Sequence, residues 1–150
     1  MSNIAELKSR GSKVMHGIDA TEIAKHQLLR QLKFDRIIFN FPHAGFFSRE
    51  STECQLGRHR KLVSQFLMNA KQMISENGEI HISHKTNGFH AQFKVESIAS
   101  SHGLRLMEAV KFKCGHYPGY NTKYGFGGDK NFNPNPSKTF KFGLKTLPPS

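Results

Sequence analysis

The sequence predicts an α/β fold: a mostly parallel sheet with helices on both faces, closed by an antiparallel hairpin. Three observations predict it. Strand-length apolar runs alternate with segments of helical period. The run at residues 36–41 is apolar nearly throughout, as in a strand buried on both faces of a parallel sheet. The last two strand segments, 104–112 and 139–144, have no helical segment between them, which implies an antiparallel pair.

The elements follow in order. Residues 4–10 read as the last turns of a helix closed by Gly11, and residues 13–16 as a short strand. A turn follows, in which Asp19 or Thr21 can cap the next helix. Residues 21–32 place Ile23, Ala24, Leu28, Leu29 and Leu32 on one helical face. The 36–41 strand ends at Pro42, and a polar loop runs over 43–57. Residues 58–77 carry Leu62, Val63, Phe66, Leu67, Ala70, Met73 and Ile74 at helical spacing, a core stripe, with Gly78 as the stop. Residues 79–84 form a second buried-type strand, and 93–102 a helix stopped by Gly103. A loop rich in Gly, Pro, Asn and Tyr spans 114–137, and residues 146–150 form a frayed tail behind a single domain of residues 1–145.

The chain has 150 residues, enough to bury a core without staples. Lys and Arg number 22 against 11 acidic residues, a formal net charge of +11. A domain this basic suits a polyanionic partner such as nucleic acid. Cys54 and Cys114 lie far apart, which argues against a disulfide scaffold and for a reducing compartment. No apolar run is long enough to cross a membrane, and the N-terminus lacks a signal-peptide pattern. A cytosolic or nuclear protein is expected.

Four ordered motifs carry a resemblance. Phe34-Asp35-Arg36-Ile37-Ile38-Phe39-Asn40-Phe41-Pro42-His43-Ala44-Gly45 resembles the fourth motif of the eukaryotic large-subunit rRNA uridine-N3 methyltransferases. His16-Gly17-Ile18-Asp19-Ala20-Thr21 resembles that family's segment after strand three. Gly78-Glu79-Ile80-His81-Ile82-Ser83-His84-Lys85-Thr86 resembles its fifth strand and exit. Tyr117-Pro118-Gly119-Tyr120-Asn121, followed by Lys123 and Gly125, resembles its late substrate-side loop. The resemblance runs over residues 11–144. It implies a Rossmann-like class I methyltransferase sheet, S-adenosylmethionine as cofactor, rRNA as partner, and the nucleus or nucleolus as workplace, the cytoplasm being the alternative.

The pattern also departs from the family. The family's domain opens with a strand and a glycine-rich loop that cradles the cofactor. Nothing before the 13–16 segment supplies them, so the first strands are expected to be missing. Residues 125–129 are glycine-rich, but Pro134 and Pro136 follow instead of a helix. An RNA- or protein-binding remnant without catalysis is therefore the alternative function. Without the first strands, residues 13–16 and 36–41 lose their neighbours. Either these two segments pair directly, or the bare edge pairs with a second copy.

Methyl transfer from a sulfonium depends mostly on positioning. Asn40, Phe41, Pro42 and His43 stand at the carboxyl end of a strand, where open α/β sheets bind ligands. Asn40 can hydrogen-bond a base edge and Phe41 can stack on an extruded base. Pro42 stiffens the turn, and His43 is the candidate general base. The resemblance also puts Asn40 on the cofactor side. The resemblance puts Asp19 and Ala20 beside the adenine, and Asp19 is equally good as a helix cap. His81 and His84 are three apart on a strand and point to opposite faces, so with His90 they do not suggest a metal site. His84 and Lys85 are expected to face the substrate cleft. Tyr117, Tyr120 and Phe126 are interleaved with Lys111, Lys113, Lys123 and Lys130, a pattern suited to a single RNA strand or to aromatics packed under a hairpin.

Overall fold

The structure, a computed structural model, describes residues 2–45, 50–122 and 131–145. Its centre is a four-stranded sheet in the order β1 (Phe34–Asn40), β2 (Ile74–Lys85), β4 (Ser137–Leu144), β3 (Leu104–Lys111). β1 and β2 are parallel, and β4 lies antiparallel between β2 and β3. The terminal pair without a helix is thus antiparallel, as expected. The connection between β1 and β2 is α2 (Thr52–Met73), and α3 (Val95–Ser101) leads from β2 to β3.

One core holds these pieces together. Val63, Phe66, Leu67 and Ala70 of α2 and Val95, Ile98 and Ala99 of α3 pack on Ile80, Ile82, Phe140 and Phe142 of the sheet. Ile37 and Phe39 of β1 join from the edge. Among the described residues the packed helices therefore lie on one face of the sheet. The other face carries Ile38, Asn40, His81, Ser83 and Thr139. β1 is accordingly not buried on both faces: Ile38 is 56 % exposed, and Asp35 and Arg36 are exposed.

Several boundaries differ from the expectation. Residues 13–16 form no strand, because no strand lies beside them to bond. The segment 21–32 is not a helix. It has a 3-10 turn, Ala20–Lys25, broken by a non-helical backbone at Glu22 (φ −133°, ψ 20°), followed by separate turns over 27–31. Asn69 of α2 takes over its backbone groups: its Oδ1 accepts the Ala24 N–H at 3.0 Å and its Nδ2 donates to the Thr21 carbonyl at 2.8 Å. Leu28 and Leu32 of the supposed apolar face are exposed. The separate helix α1 (Asn3–Ser9) buries no residue.

Helix α2 begins six residues before the expected start, at Thr52 rather than Arg58, because Ser51 Oγ caps it by accepting the Cys54 N–H at 3.1 Å. It ends at Met73, and Gly78 lies inside β2 instead of closing the helix. There the β1–β2 register skips between the Phe34↔Ile74 and Arg36↔Glu79 pairs, a bulge that carries the chain straight from helix into strand. A 3-10 turn, Gly88–Gln92, precedes the expected 93–102 helix, which starts two residues late, at Val95, while Gly103 closes α3 as expected, at φ +76°. The expected frayed tail lies outside the described residues.

Candidate functional site

The carboxyl end of β1 makes a sharp corner. Asn40 is in register with Ser83 of β2, and the Phe41 N–H then donates to the Ser83 carbonyl at 2.6 Å. Phe41 turns the chain through a left-handed backbone, φ 51°, which is uncommon for an aromatic residue and is held here by its neighbours. Pro42 is buried directly behind it.

Aromatic rings gather at this corner. Phe41 stands edge-on to Phe112 and Phe132, with centroids 5.1 and 5.2 Å away. Much of its ring is thereby committed to protein contacts. The ring that offers a face to solvent is Tyr117, 52 % exposed and stacked on Phe112 at 5.5 Å. Tyr120 lies edge-on to Phe112, and its hydroxyl interacts with the Asn40 side chain in the same pocket. Burial and Cys114 push the Tyr120 phenol up, so it stays protonated near neutral pH. A pocket of about 100 Å³ opens between Asn40, Phe112, Tyr117, Tyr120, Ser83 and Thr139. At its base the Ser83 and Thr139 hydroxyls bond at 2.7 Å. The late loop is pinned by the Thr122 hydroxyl, which donates to the Phe132 carbonyl at 2.6 Å. Lys123, Phe126 and Lys130 lie outside the described residues.

His43 points into a different group. Its ring lies 4.1 Å from that of His59, and its Nδ1 accepts the Gly45 N–H at 3.0 Å. Burial, then the Arg58 charge, pushes its pKa below the ordinary value. His59 is fully buried against Phe89 and Phe93, and its Nδ1 accepts the Ala44 N–H at 2.8 Å. Arg58 beside it donates to the carbonyls of Ala44 at 2.7 Å and Gly45 at 2.9 Å. Sequence reasoning missed both residues. A polar His59 in line with Val63, Phe66 and Ala70, on the buried stripe of a helix, was the available signal.

His84 lies on the opposite face from Asn40. It stacks on Phe140 at 4.9 Å, under α3, and its Nδ1 donates to the Lys85 carbonyl at 2.6 Å. Strand alternation puts it there. With His90, Thr86 and Lys94 it lines a separate cavity of about 280 Å³. Burial, then Lys85, pushes His90 down to about 4. His81 occupies the Asn40 face, with its Nε2 3.2 Å from Glu79. Among the described residues no group of three metal-ligating side chains comes together. Lys85 is half-buried at the end of β2.

Asp19 acts as a cap, accepting from the Thr21 N–H at 2.9 Å and the Thr21 hydroxyl at 2.7 Å. Ala20 packs against the core. The structure thus brings Asn40, Phe41, Tyr117 and Tyr120 together and leaves His43, His84, Asp19 and Ala20 in other surroundings. A cofactor-sized ligand needs a pocket of roughly 300 Å³ or more. The space beside Asn40 is a third of that, so the described residues do not form an S-adenosylmethionine pocket there.

Known proteins agree with this architecture. Over 94 % of its length the chain superposes on SMU.776, a protein assigned to the methyltransferases and solved with SAH. The TM-score is 0.50 at 17 % identity over 35 % of that chain, which speaks to the Rossmann-like fold alone. The chain is 43 % identical over 143 residues to "Heavy metal-associated isoprenylated plant protein 41" of Arabidopsis thaliana. It is 41 % identical over 133 residues to "Uncharacterized protein At4g26485" of the same plant. These matches cover 94 % and 87 % of this chain, but only 28 % and 64 % of the two relatives. The model of the BMT5-like rRNA (uridine-N3-)-methyltransferases matches residues 1–124, and the chain belongs to that family.

Proposed function

We propose that this chain carries the RNA-acceptor side of an S-adenosylmethionine-dependent rRNA methyltransferase whose target is the N3 nitrogen of a large-subunit uridine. The observation that carries the proposal is the Asn40 amide, at the ligand end of β1, tied to Tyr120 in an aromatic pocket of one-ring size. The reacting edge of uracil has an N–H donor between two carbonyl acceptors. An Asn amide offers an acceptor and donors side by side and can answer both. Tyr117 supplies a face for a neighbouring base.

Charge supports the same partner. The formal net charge is +11, and Lys111 and Lys138 are directly opposite across the β3–β4 ladder, on the His84 face of the sheet rather than the Asn40 face. Like charges in that position repel unless an anion lies between them, and a phosphate backbone is such an anion. On this reading Asn40, Phe41 and Pro42 shape the acceptor site, and Tyr117, Tyr120, Lys85 and Lys123 meet RNA. His43 can take the N3 proton through Nδ1 only when the Gly45 N–H releases that atom; otherwise water takes the proton. The methyl group comes from S-adenosylmethionine. Such a substrate puts the protein in the nucleus or nucleolus, with the cytoplasm as the alternative. We also propose that a second copy covers the open edge of β1.

The test is transfer of labelled methyl from S-adenosylmethionine to large-subunit rRNA, followed by digestion to nucleosides. The expected product is 3-methyluridine. No incorporation would overturn catalysis by this chain. The small volume beside Asn40 favours a second reading, RNA binding without catalysis. Calorimetry with S-adenosylmethionine separates the two: roughly micromolar binding overturns the second reading.

A further inference from the structure

We propose that Arg58 and His59 are positioning residues that hold the Asn40 corner in place from helix α2. The inference rests on the acceptor-site reading just given. The corner leaves β1 after Asn40 and has no strand to pair with, so its backbone groups need other partners. Two adjacent helical residues provide them. His59 Nδ1 accepts the Ala44 N–H at 2.8 Å, and Arg58 Nη1 donates to the Ala44 carbonyl at 2.7 Å. Arg58 Nη2 also donates to the Gly45 carbonyl at 2.9 Å. Both backbone groups of Ala44 are thus satisfied from one turn of α2. Glu50 accepts from Arg58 Nε at 2.6 Å and steadies the guanidinium.

The same helix holds the other side of the corner. Phe39, the residue before Asn40, packs edge-on against Phe66 with centroids 4.7 Å apart. Residues 40–43 therefore hang between two attachments to a single helix. That helix is fixed to the core by Val63, Leu67 and Ala70, all at most 1 % exposed. Asn40 cannot tilt without straining one attachment or the other.

His59 is an expensive choice for packing alone. Because Nδ1 accepts, its neutral ring carries the proton on Nε2, and Nε2 is buried with no hydrogen-bond partner among the described residues. An orphaned buried donor costs stability that a leucine or phenylalanine would not. The acceptor at Nδ1 is the return for that cost. Burial, then the neighbouring His43 and Arg58, pushes His59 down to about 4, so the lone pair persists through the physiological range.

The test compares His59→Leu, which removes the acceptor, with His59→Asn, whose Oδ1 stands where Nδ1 stood. Two signals are read by NMR: hydrogen exchange at the Ala44 amide and the side-chain amide resonances of Asn40. In His59→Leu, Ala44 exchange should rise about tenfold or more, and the Asn40 resonances should broaden, while exchange at Ile80 and Ile82 is unchanged. His59→Asn should restore both signals. Arg58→Met, which keeps the stem and removes the fork, should reproduce the leucine effect and decides the matter if His59→Leu does not fold. Unchanged Ala44 exchange, or Asn40 resonances as sharp as in the wild type, would overturn the proposal. Failure of the acceptor-site reading shows elsewhere, as absence of both RNA binding and methyl transfer by the wild type.

Discussion

At the scale of single residues, the site turns on one side-chain pair. Asn40 and Tyr120 meet in the pocket, so on the proposed reading RNA would either displace the phenol or share the amide with it. Asn40→Ala should weaken binding of a uridine-containing single strand by about 1–2 kcal/mol, roughly five- to thirtyfold. Filter binding or fluorescence anisotropy reads this directly. Equal affinity would remove Asn40 from the interface. That Asn40, Tyr117 and Tyr120 could share one place was legible in the sequence, Asn40 from the end of a strand before a proline and the two tyrosines from the resemblance of their loop to the family's. Arg58 and His59 were not, because their contacts depend on where the polar loop folds back onto a helix. The pH response also belongs here. His59 and His90 titrate near 4 in the folded protein, against an ordinary value of 6.5. The unfolded chain therefore binds more protons between those values. Their contribution to stability is whole above pH 6.5 and is lost as the pH falls through about 4. The thermal midpoint should fall between pH 7 and 5 in the wild type and fall less in His59→Asn. An equal decline in both would contradict this assignment.

At the scale of elements, the patterns whose apolar residues reach the core survived and those that lie outside it did not. The stripe from Val63 to Ala70 found α2, and the 79–84 run found the middle of β2. The apolar stripe at 21–32 failed because Asn69, from another element, captured the backbone of a 3-10 turn. No local rule foresees a partner 45 residues away. Gly78 was singled out for the wrong role. A Cβ at that position would stand 3.0 Å from the Ser75 carbonyl, 3.1 Å from the Ile74 Cβ and 3.1 Å from the Phe34 carbonyl. Two of these are backbone atoms of the β1–β2 bulge and cannot swing aside. Gly78→Ala should therefore destabilise the fold by about 1–3 kcal/mol in denaturant titration. Wild-type stability would show that the bulge is looser than described.

At the scale of the whole molecule, alternation of runs was enough for an α/β sheet with an antiparallel ending, since both follow from connectivity, while the Rossmann-like class came from the family resemblance. Which face of the sheet the helices would cover was not legible, because it depends on elements packing together rather than on any one segment. The uncovered face and the free edge of β1 have a further consequence. Ile38 is more than half exposed on a strand that has no partner on its outer edge among the described residues, an arrangement that proteins seldom leave open. Sedimentation should give a mass of about twice the 17.0 kDa chain, shifting to monomer in Ile38→Lys. A wild-type monomer at all concentrations would sink that pairing. The central claim is that the Asn40 corner receives a uridine of rRNA. Photo-crosslinking with rRNA fragments carrying 4-thiouridine tests it most directly. The account predicts adducts on Phe112, Tyr117 or Tyr120, lost in competition with unmodified rRNA. Adducts confined to the His84 and His90 face, or none under conditions where RNA is bound, would contradict it.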